Sequence, residues 1–198
     1  MKTLCVYCGS SIGASSAYAD AARAMAAEMA RRKISLVYGG GNVGLMGVIA
    51  DEMMKLGGEV TGVIPQALLD REVGHIGITR QHVVKNMHER KAMMAELSDG
   101  FIAMPGGIGT LEELFEVLTW SQIGFHRKPV GLLNVQGFYD GLIAFIRHLV
   151  AERFLKQEQA TLLIDAPDPL SLLERFDAYR PDEHKRVLDT ETARSILP

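Results

Sequence analysis

Several features that define other classes of protein are missing from these 198 residues. No apolar run approaches the roughly 18 residues that cross a bilayer. The sequence has a formal net charge of −3 and so lacks the excess of basic residues that nucleic-acid binding requires. We therefore expect neither a membrane nor a nucleic acid among the partners. The first residues lead into a strand-like segment and not into the apolar core of a signal peptide, which favours a cytoplasmic location.

Cysteine is scarce as well, with only Cys5 and Cys8 in the chain. Strand residues three apart point to opposite faces of a sheet, and no second cysteine pair completes a tetrahedral zinc site. A redox pair would normally open a helix after the strand. We expect both thiols to be small buried core residues, and we predict no metal site.

Glycine is slightly over-represented and unevenly placed. The chain has 20 glycines, against roughly 14 at average usage, and none follows Gly141. Half of them fall in three short clusters near Gly9, Gly40 and Gly107. Such clustering indicates places where the backbone turns sharply or lies close to a ligand.

Apolar, β-rich runs alternate with segments whose apolar residues have helical spacing. The predicted strands are 4–8, 35–38, 59–64, 79–84, 100–104, 130–134 and 161–165. The predicted helices are 18–32, 44–56, 87–97, 111–123, 138–152 and 169–179. This order predicts a Rossmann-like α/β fold, in which helices cover both faces of a doubly wound, mostly parallel sheet in a three-layer sandwich. We expect one domain over 1–198, with a peripheral tail from about 180.

The three glycine clusters follow the first, second and fifth predicted strands. In doubly wound sheets, ligands bind outside the carboxyl ends of the strands. Helix N-termini at that edge offer unpaired N–H groups and a favourable dipole, and glycine lets phosphate oxygens approach them. The sequence therefore predicts a cradle for an anion, most simply a phosphate.

Two common phosphate ligands fit poorly. The turn 39–44 matches G-x-G-x-x-G, but a dinucleotide site also wants an acidic residue at the end of the next strand. That strand begins with Glu59 and ends with Val63 and Ile64, which argues against NAD. The P-loop motif of nucleotide triphosphatases is missing from the sequence.

The third cluster runs directly into Glu112 and Glu113. One carboxylate at a helix start complements the dipole. A second one beside an anion is unfavourable unless it serves the ligand, for instance by accepting sugar hydroxyls or positioning water. Arg90 and Lys91 fall early in the preceding helix, where cations oppose the dipole. A ligand-binding role and a solvated basic pair both remain open for them.

Taken together, these residues resemble the LOG family of cytokinin riboside 5′-monophosphate phosphoribohydrolases, formerly labelled lysine decarboxylases. The resemblance rests on Y-G-G-G-x-x-G-L-M-G from Tyr38, M-H-x-R-K from Met87 and P-G-G-x-G-T-x-x-E from Pro105, and it extends from Cys5 to about Glu152. It implies hydrolysis of the N-glycosidic bond of N6-modified AMP, and of AMP itself in many bacterial members. The products are the free base and ribose 5-phosphate.

The same resemblance implies that Arg90 and Glu113 form the catalytic pair. It implies nucleotide contacts from Glu72, Arg90, Lys91, Gly107, Ile108, Gly109, Thr110, Leu111, Glu112, Glu113 and Thr119. Ile108 stands where many plant members have an aromatic residue, which leaves the base preference open. The family needs no cofactor and forms homodimers or larger homo-oligomers with the site near the subunit boundary.

Two other functions stay open at this point. A non-catalytic nucleotide sensor would keep the same cradle and give Glu113 no chemical task. A pyridoxal-phosphate-dependent lysine decarboxylase would need a Schiff-base lysine, for which Lys91 is the only well-placed candidate, and the chain is short for that chemistry.

Overall fold

A computed structural model describes residues 1–70 and 74–181. The predicted tail from about 180 therefore lies almost wholly outside the described residues. The strands are β1 Thr3–Tyr7, β2 Ser35–Tyr38, β3 Val60–Pro65, β4 Arg80–Val84, β5 Gly100–Ala103, β6 Val130–Leu133 and β7 Leu163–Ala166. The helices are α1 Ser16–Arg31, α2 Gly44–Lys55, α3 Gln66–Leu69, α4 Met87–Glu96, α5 Ile108–Gln122, α6 Asp140–Ala151, α7 Gln157–Ala160 and α8 Pro169–Ala178, with a 3-10 turn at Val135–Gly137.

All seven predicted strands and the six predicted helices are confirmed, with ends that differ by a few residues. The short helices α3 and α7 were not predicted, because four residues carry no measurable periodicity. The largest difference in a helix start is at α5, which begins at Ile108, three residues before the predicted start. Because glycine is a poor helix former, Gly109 was assigned to the preceding turn, and the predicted helix start was too late.

The seven strands form one sheet in the order β4-β3-β2-β1-β5-β6-β7, and every neighbouring pair is parallel. The chain moves outward from β1 to β4 and then returns to the other side of β1 with β5. The strand order thus reverses between β1 and β5, the position at which doubly wound folds bind their ligands. The doubly wound α/β prediction is confirmed.

Helices cover both faces of the sheet and bury two apolar clusters. One cluster joins the sheet to α1, α2 and α8, and the other joins it to α4, α5 and α6. Cys8 belongs to the first cluster and Cys5 to the second. Burial raises the pKa of both thiols far above its ordinary value. The prediction that they are buried core residues on opposite faces is confirmed.

The three glycine-rich turns contact one another at the carboxyl edge. The N–H of Gly9 donates to the carbonyl of Pro105 at 3.1 Å, and the N–H of Leu45 donates to the carbonyl of Gly9 at 3.0 Å. Gly44 has a φ of +58°, and a Cβ there would overlap the backbone of Ser10. The close approach of these turns therefore explains a glycine at 44 without any ligand.

Among residues 1–70 and 74–181, no three His, Cys, Asp or Glu side chains are grouped so that they could hold a metal ion. In the same part of the chain, no helix combines the length and the apolar content needed to cross a membrane.

Candidate active site

A cleft of about 340 Å³ opens at the carboxyl edge of the sheet, beside the point where the strand order reverses. The turns after β1 and β5 form part of its wall, and the first residues of α4 and α5 form much of the rest. Its lining consists of Cys8, Gly9, Ser10, Met46, Leu68, Met87, Arg90, Gly107, Ile108, Gly109, Thr110, Glu112 and Glu113.

The start of α5 has the properties of an anion site. Gly107 is its N-cap residue and supplies no side-chain hydrogen bond to the helix. The first N–H groups of a helix have no intrahelical partner, and they carry the positive end of the dipole. A Cβ on Gly107 or on Gly109 would meet no atom within 4 Å, so the space above both glycines is open to a ligand.

Glu113 lies one turn into α5, with 9% of its surface exposed. Burial penalises its charged form and raises the pKa of the carboxyl group to about 7. The nearby Arg90 charge opposes that rise, and Glu112 reinforces it. Glu113 is therefore a carboxyl group that changes protonation state near neutral pH, which suits acid–base chemistry.

Arg90 faces Glu113 from α4. Its Nε donates to the carbonyl of Val63 at 3.1 Å, and its Nη2 donates to the carbonyl of Gly39 at 3.2 Å. A Cβ on Gly39 would overlap this guanidinium group, so the first glycine of the second cluster makes room for Arg90. Arg90 Nη2 lies 3.9 Å from Glu113 Oε1, which is too long for a hydrogen bond.

The local sequence explains why α4 places Arg90 at the cleft. Asn86 is the N-cap residue, and its side chain accepts from the N–H of Glu89 at 2.9 Å. The Glu89 side chain reaches back and accepts from the N–H of Lys85 at 2.9 Å. These two bonds fix the start of α4, and Arg90 follows within the first turn.

Lys91, the next residue, points to a different set of partners. Its Nζ lies 2.6 Å from Glu112 Oε1 and 2.9 Å from Glu116 Oε1. Burial disfavours the charge, but the hydrogen bonds with Glu112 and Glu116 outweigh it and raise the pKa of Lys91 above its ordinary value. Lys91 is not among the residues that line the cleft.

The structure thus brings most of the predicted site residues into one cleft. Those that line it are Arg90, Gly107, Ile108, Gly109, Thr110, Glu112 and Glu113. Leu111 is half-buried outside the lining, and Thr119 is exposed further along α5. Glu72 lies outside the described residues. The roles of all these residues in binding or catalysis stay predictions.

The cleft also contains residues that the predicted site omits. They are Cys8, Gly9, Ser10, Met46, Leu68 and Met87. A signal for Gly9 and Ser10 was present, since they follow a strand in a glycine-containing turn. Met46 and Met87 are indistinguishable from core methionines by sequence, because only the packing of α2 and α4 decides which way they face.

The sequence is similar to that of known proteins over most of its length. A family model described as possible lysine decarboxylase matches residues 46–176. A cytokinin riboside 5′-monophosphate phosphoribohydrolase of Arabidopsis thaliana is 48% identical over 180 residues, which cover 91% of this chain and 79% of the relative. The LOG protein of Oryza sativa subsp. japonica, with the same named activity, is 46% identical over 198 residues, which cover 100% of this chain and 82% of the relative.

Solved structures with the same fold are more distant in sequence. The molybdenum cofactor binding protein of Rippkaea orientalis superposes with a TM-score of 0.68 at 21% identity, and the match covers 90% of this chain and 97% of that one. The molybdenum cofactor carrier protein of Chlamydomonas reinhardtii gives a TM-score of 0.65 at 20% identity, with 90% and 99% covered. At these identities the likeness concerns the fold alone.

Proposed function

The chain belongs to the LOG family of cytokinin riboside 5′-monophosphate phosphoribohydrolases, and from this premise we propose that it is a hydrolase of the N-glycosidic bond in N6-modified AMP. The products are the free base and ribose 5-phosphate. The observation that carries this proposal is the placement of Glu113 and Arg90 in one cleft with the open, glycine-lined start of α5.

The 5′-phosphate binds at the start of α5. The unpaired N–H groups of the first turn and the hydroxyl of Thr110 donate to its oxygens, and Gly107 and Gly109 leave the space it occupies. This part of the substrate does not react. Its binding energy instead orients the ribose over Glu113 and thereby lowers the barrier of the chemical step.

Glu113 acts on the sugar. Cleavage of a glycosidic bond passes through a transition state with oxocarbenium-ion character, and a water molecule must reach the anomeric carbon. The ionised carboxylate of Glu113 stabilises this cation, accepts from the ribose hydroxyls and orients the water. Arg90, fixed by two backbone carbonyls, holds the phosphate or assists departure of the purine.

Base recognition falls to the apolar part of the cleft. Met46, Leu68 and Met87 offer it polarisable and aliphatic surface, and Ile108 stands at the rim with 82% of its surface exposed. None of these groups reads the N6 substituent by a hydrogen bond from its side chain. We therefore propose that AMP itself is also a substrate.

The two other functions have less support. Lys91 is held as a cation by two carboxylates, whereas Schiff-base formation by a lysine decarboxylase requires a neutral amine. A non-catalytic nucleotide sensor would give no reason for burying Glu113 at the cost in free energy that its raised pKa implies. The hydrolase is the function that gives both Arg90 and Glu113 a task.

We further propose that the enzyme is a homodimer or larger. Of the residues of α6 that the structure describes, Ile146 alone is buried, although the helix is mostly apolar. Phe145 is 54% exposed there, and Phe115 on α5 is 38% exposed. A second copy of the chain would cover these side chains. Sedimentation analysis should give at least twice the mass of one chain, and a clean monomer would contradict the proposal.

The product assay tests the function directly. The protein is incubated with N6-isopentenyl-AMP and, separately, with AMP, and the free base and ribose 5-phosphate are quantified. We expect equal amounts of both products from each nucleotide. Saturable binding without release of base would instead identify a sensor, and a visible cofactor band with amine formation from lysine would identify a decarboxylase.

A further inference from the structure

Three charged residues link α4 to α5 next to the cleft. The ammonium group of Lys91 on α4 contacts the carboxylates of Glu112 and Glu116 on α5 at 2.6 Å and 2.9 Å. The Lys91 side chain is only 10% exposed, and that of Glu116 is 24% exposed. The Glu112 side chain is 50% exposed, so the Lys91–Glu116 contact is the sheltered one, and it is screened less than a surface pair.

The charged residues that join α4 to α5 are neighbours in sequence of Arg90 and Glu113. Lys91 is adjacent to Arg90, and Glu112 is adjacent to Glu113, so each partner of the ion pair neighbours one member of the proposed catalytic pair. Glu116 lies one turn beyond Glu112, on the same side of α5. Any shift of α4 along α5 would change the 3.9 Å separation between Arg90 and Glu113 and would stretch both contacts of Lys91.

We propose that the ion pair between Lys91 and Glu116 has a positioning role, in which it sets the place and the electrostatic surroundings of Glu113. This inference rests on the hydrolase function proposed above. It adds Glu116 to the residues that the reaction needs, and it gives a task to an ion pair that lies beside the cleft.

The charges around Glu113 make the two residues act in opposite directions. The titratable and charged groups that face its carboxyl are Arg90 and Lys91 of α4, Glu112 and Glu116 of α5, Cys5 and Tyr7 of β1, and Cys8 just beyond it. Lys91 lowers the pKa of Glu113, whereas Glu116 raises it. Removing the lysine charge therefore makes Glu113 harder to ionise, and removing the glutamate charge makes it easier.

Paired pH profiles test the proposal. We expect Lys91→Met to move the midpoint of kcat/KM against pH upward and Glu116→Gln to move it downward, each by about 0.5 to 1 pH unit. The pair Lys55–Glu52 on α2, with a contact of 3.1 Å, provides matched controls. Lys55→Met and Glu52→Gln should leave the midpoint unchanged.

A second measurement tests the positioning role independently of the hydrolase function on which it rests. The protonation of Glu113 is followed by ¹³C NMR of its labelled side-chain carboxyl. The signal is assigned by its disappearance in Glu113→Gln, and the measurement requires no turnover. Opposite shifts in the two variants support the positioning role even in a protein without hydrolase activity. Shifts in the same direction, or no shift in either variant, would overturn it.

Discussion

Arg90 on α4 and Glu113 on α5 face each other across 3.9 Å, and both side chains are about nine-tenths buried. The guanidinium group satisfies its own hydrogen bonds on the carbonyls of Val63 and Gly39 and so does not neutralise the carboxylate fully. The carboxyl group consequently keeps a raised pKa and an open side toward the cleft. This combination gives Glu113 the properties of a reactive group in a preorganised site.

Activity should rise with pH through neutrality. In the proposed mechanism catalysis requires ionised Glu113, and burial raises the pKa of this group to about 7. We therefore expect kcat/KM to increase between roughly pH 6 and pH 8 and then to level off. The substrate phosphate titrates near pH 6, so kcat is measured as well as kcat/KM. A kcat that falls between pH 6 and pH 8 would contradict a catalytic role for ionised Glu113.

Glu113→Gln should stabilise the fold more at high pH than at low pH. The folded-state pKa of about 7 lies above the ordinary 4.5, so the wild type loses stability as pH rises through the folded-state value. Glutamine does not ionise and avoids that loss, worth up to about 3 kcal/mol. Urea unfolding at about pH 5 and pH 8 measures it, with the exposed Glu174→Gln on α8 as control.

Gly109→Ala should weaken substrate binding while preserving the fold. A Cβ there meets no protein atom within 4 Å, and alanine in a helix is favoured over glycine by roughly 0.5–1 kcal/mol. The methyl group fills the space that we assign to the phosphate, so KM should increase about tenfold or more. Gly141→Ala on α6, which is equally unobstructed, should stabilise the protein without changing KM. An unchanged KM in Gly109→Ala would place the phosphate elsewhere.

Gly39→Ala should impair catalysis through Arg90. The added Cβ would overlap the guanidinium group and approach Met46 Sδ at 3.2 Å, so Arg90 would lose its bond to the carbonyl of residue 39. We expect kcat/KM to fall about tenfold or more, because a misplaced catalytic group is costly. In the Arg90→Ala background the same change should cost little more. A full, additive loss in the double variant would show that Gly39 acts independently of Arg90.

The strands and most of the helices could be predicted from the sequence because their patterns are local. The run Gly100–Ala103 is apolar throughout, as expected for a strand buried on both faces. The start of α5 could not be placed, because Gly107 and Gly109 read as a turn and only the structure shows that the helix already includes Gly109.

Seven of the residues that line the cleft could be named from the sequence, but their contacts could not. Arg90 and Glu113 could be singled out by their motifs. The support of Arg90 by the carbonyls of Val63 in β3 and Gly39 after β2 depends on how β2, β3 and α4 pack together. The partners of Lys91 were not foreseen either. Glu116 lies beyond the motif, and nothing in the linear sequence connects it with a lysine on another helix.

In the proposed mechanism, Glu113 drives the release of base from a nucleotide bound at the start of α5. Wild type and Glu113→Gln are compared for formation of free base from N6-isopentenyl-AMP, with substrate affinity measured in parallel by calorimetry. We predict product from the wild type, a rate lower by about 10² to 10⁴-fold in the variant, and a folded variant that still binds the nucleotide. Turnover near the wild-type rate in Glu113→Gln, or no base released by the wild type, would contradict this mechanism.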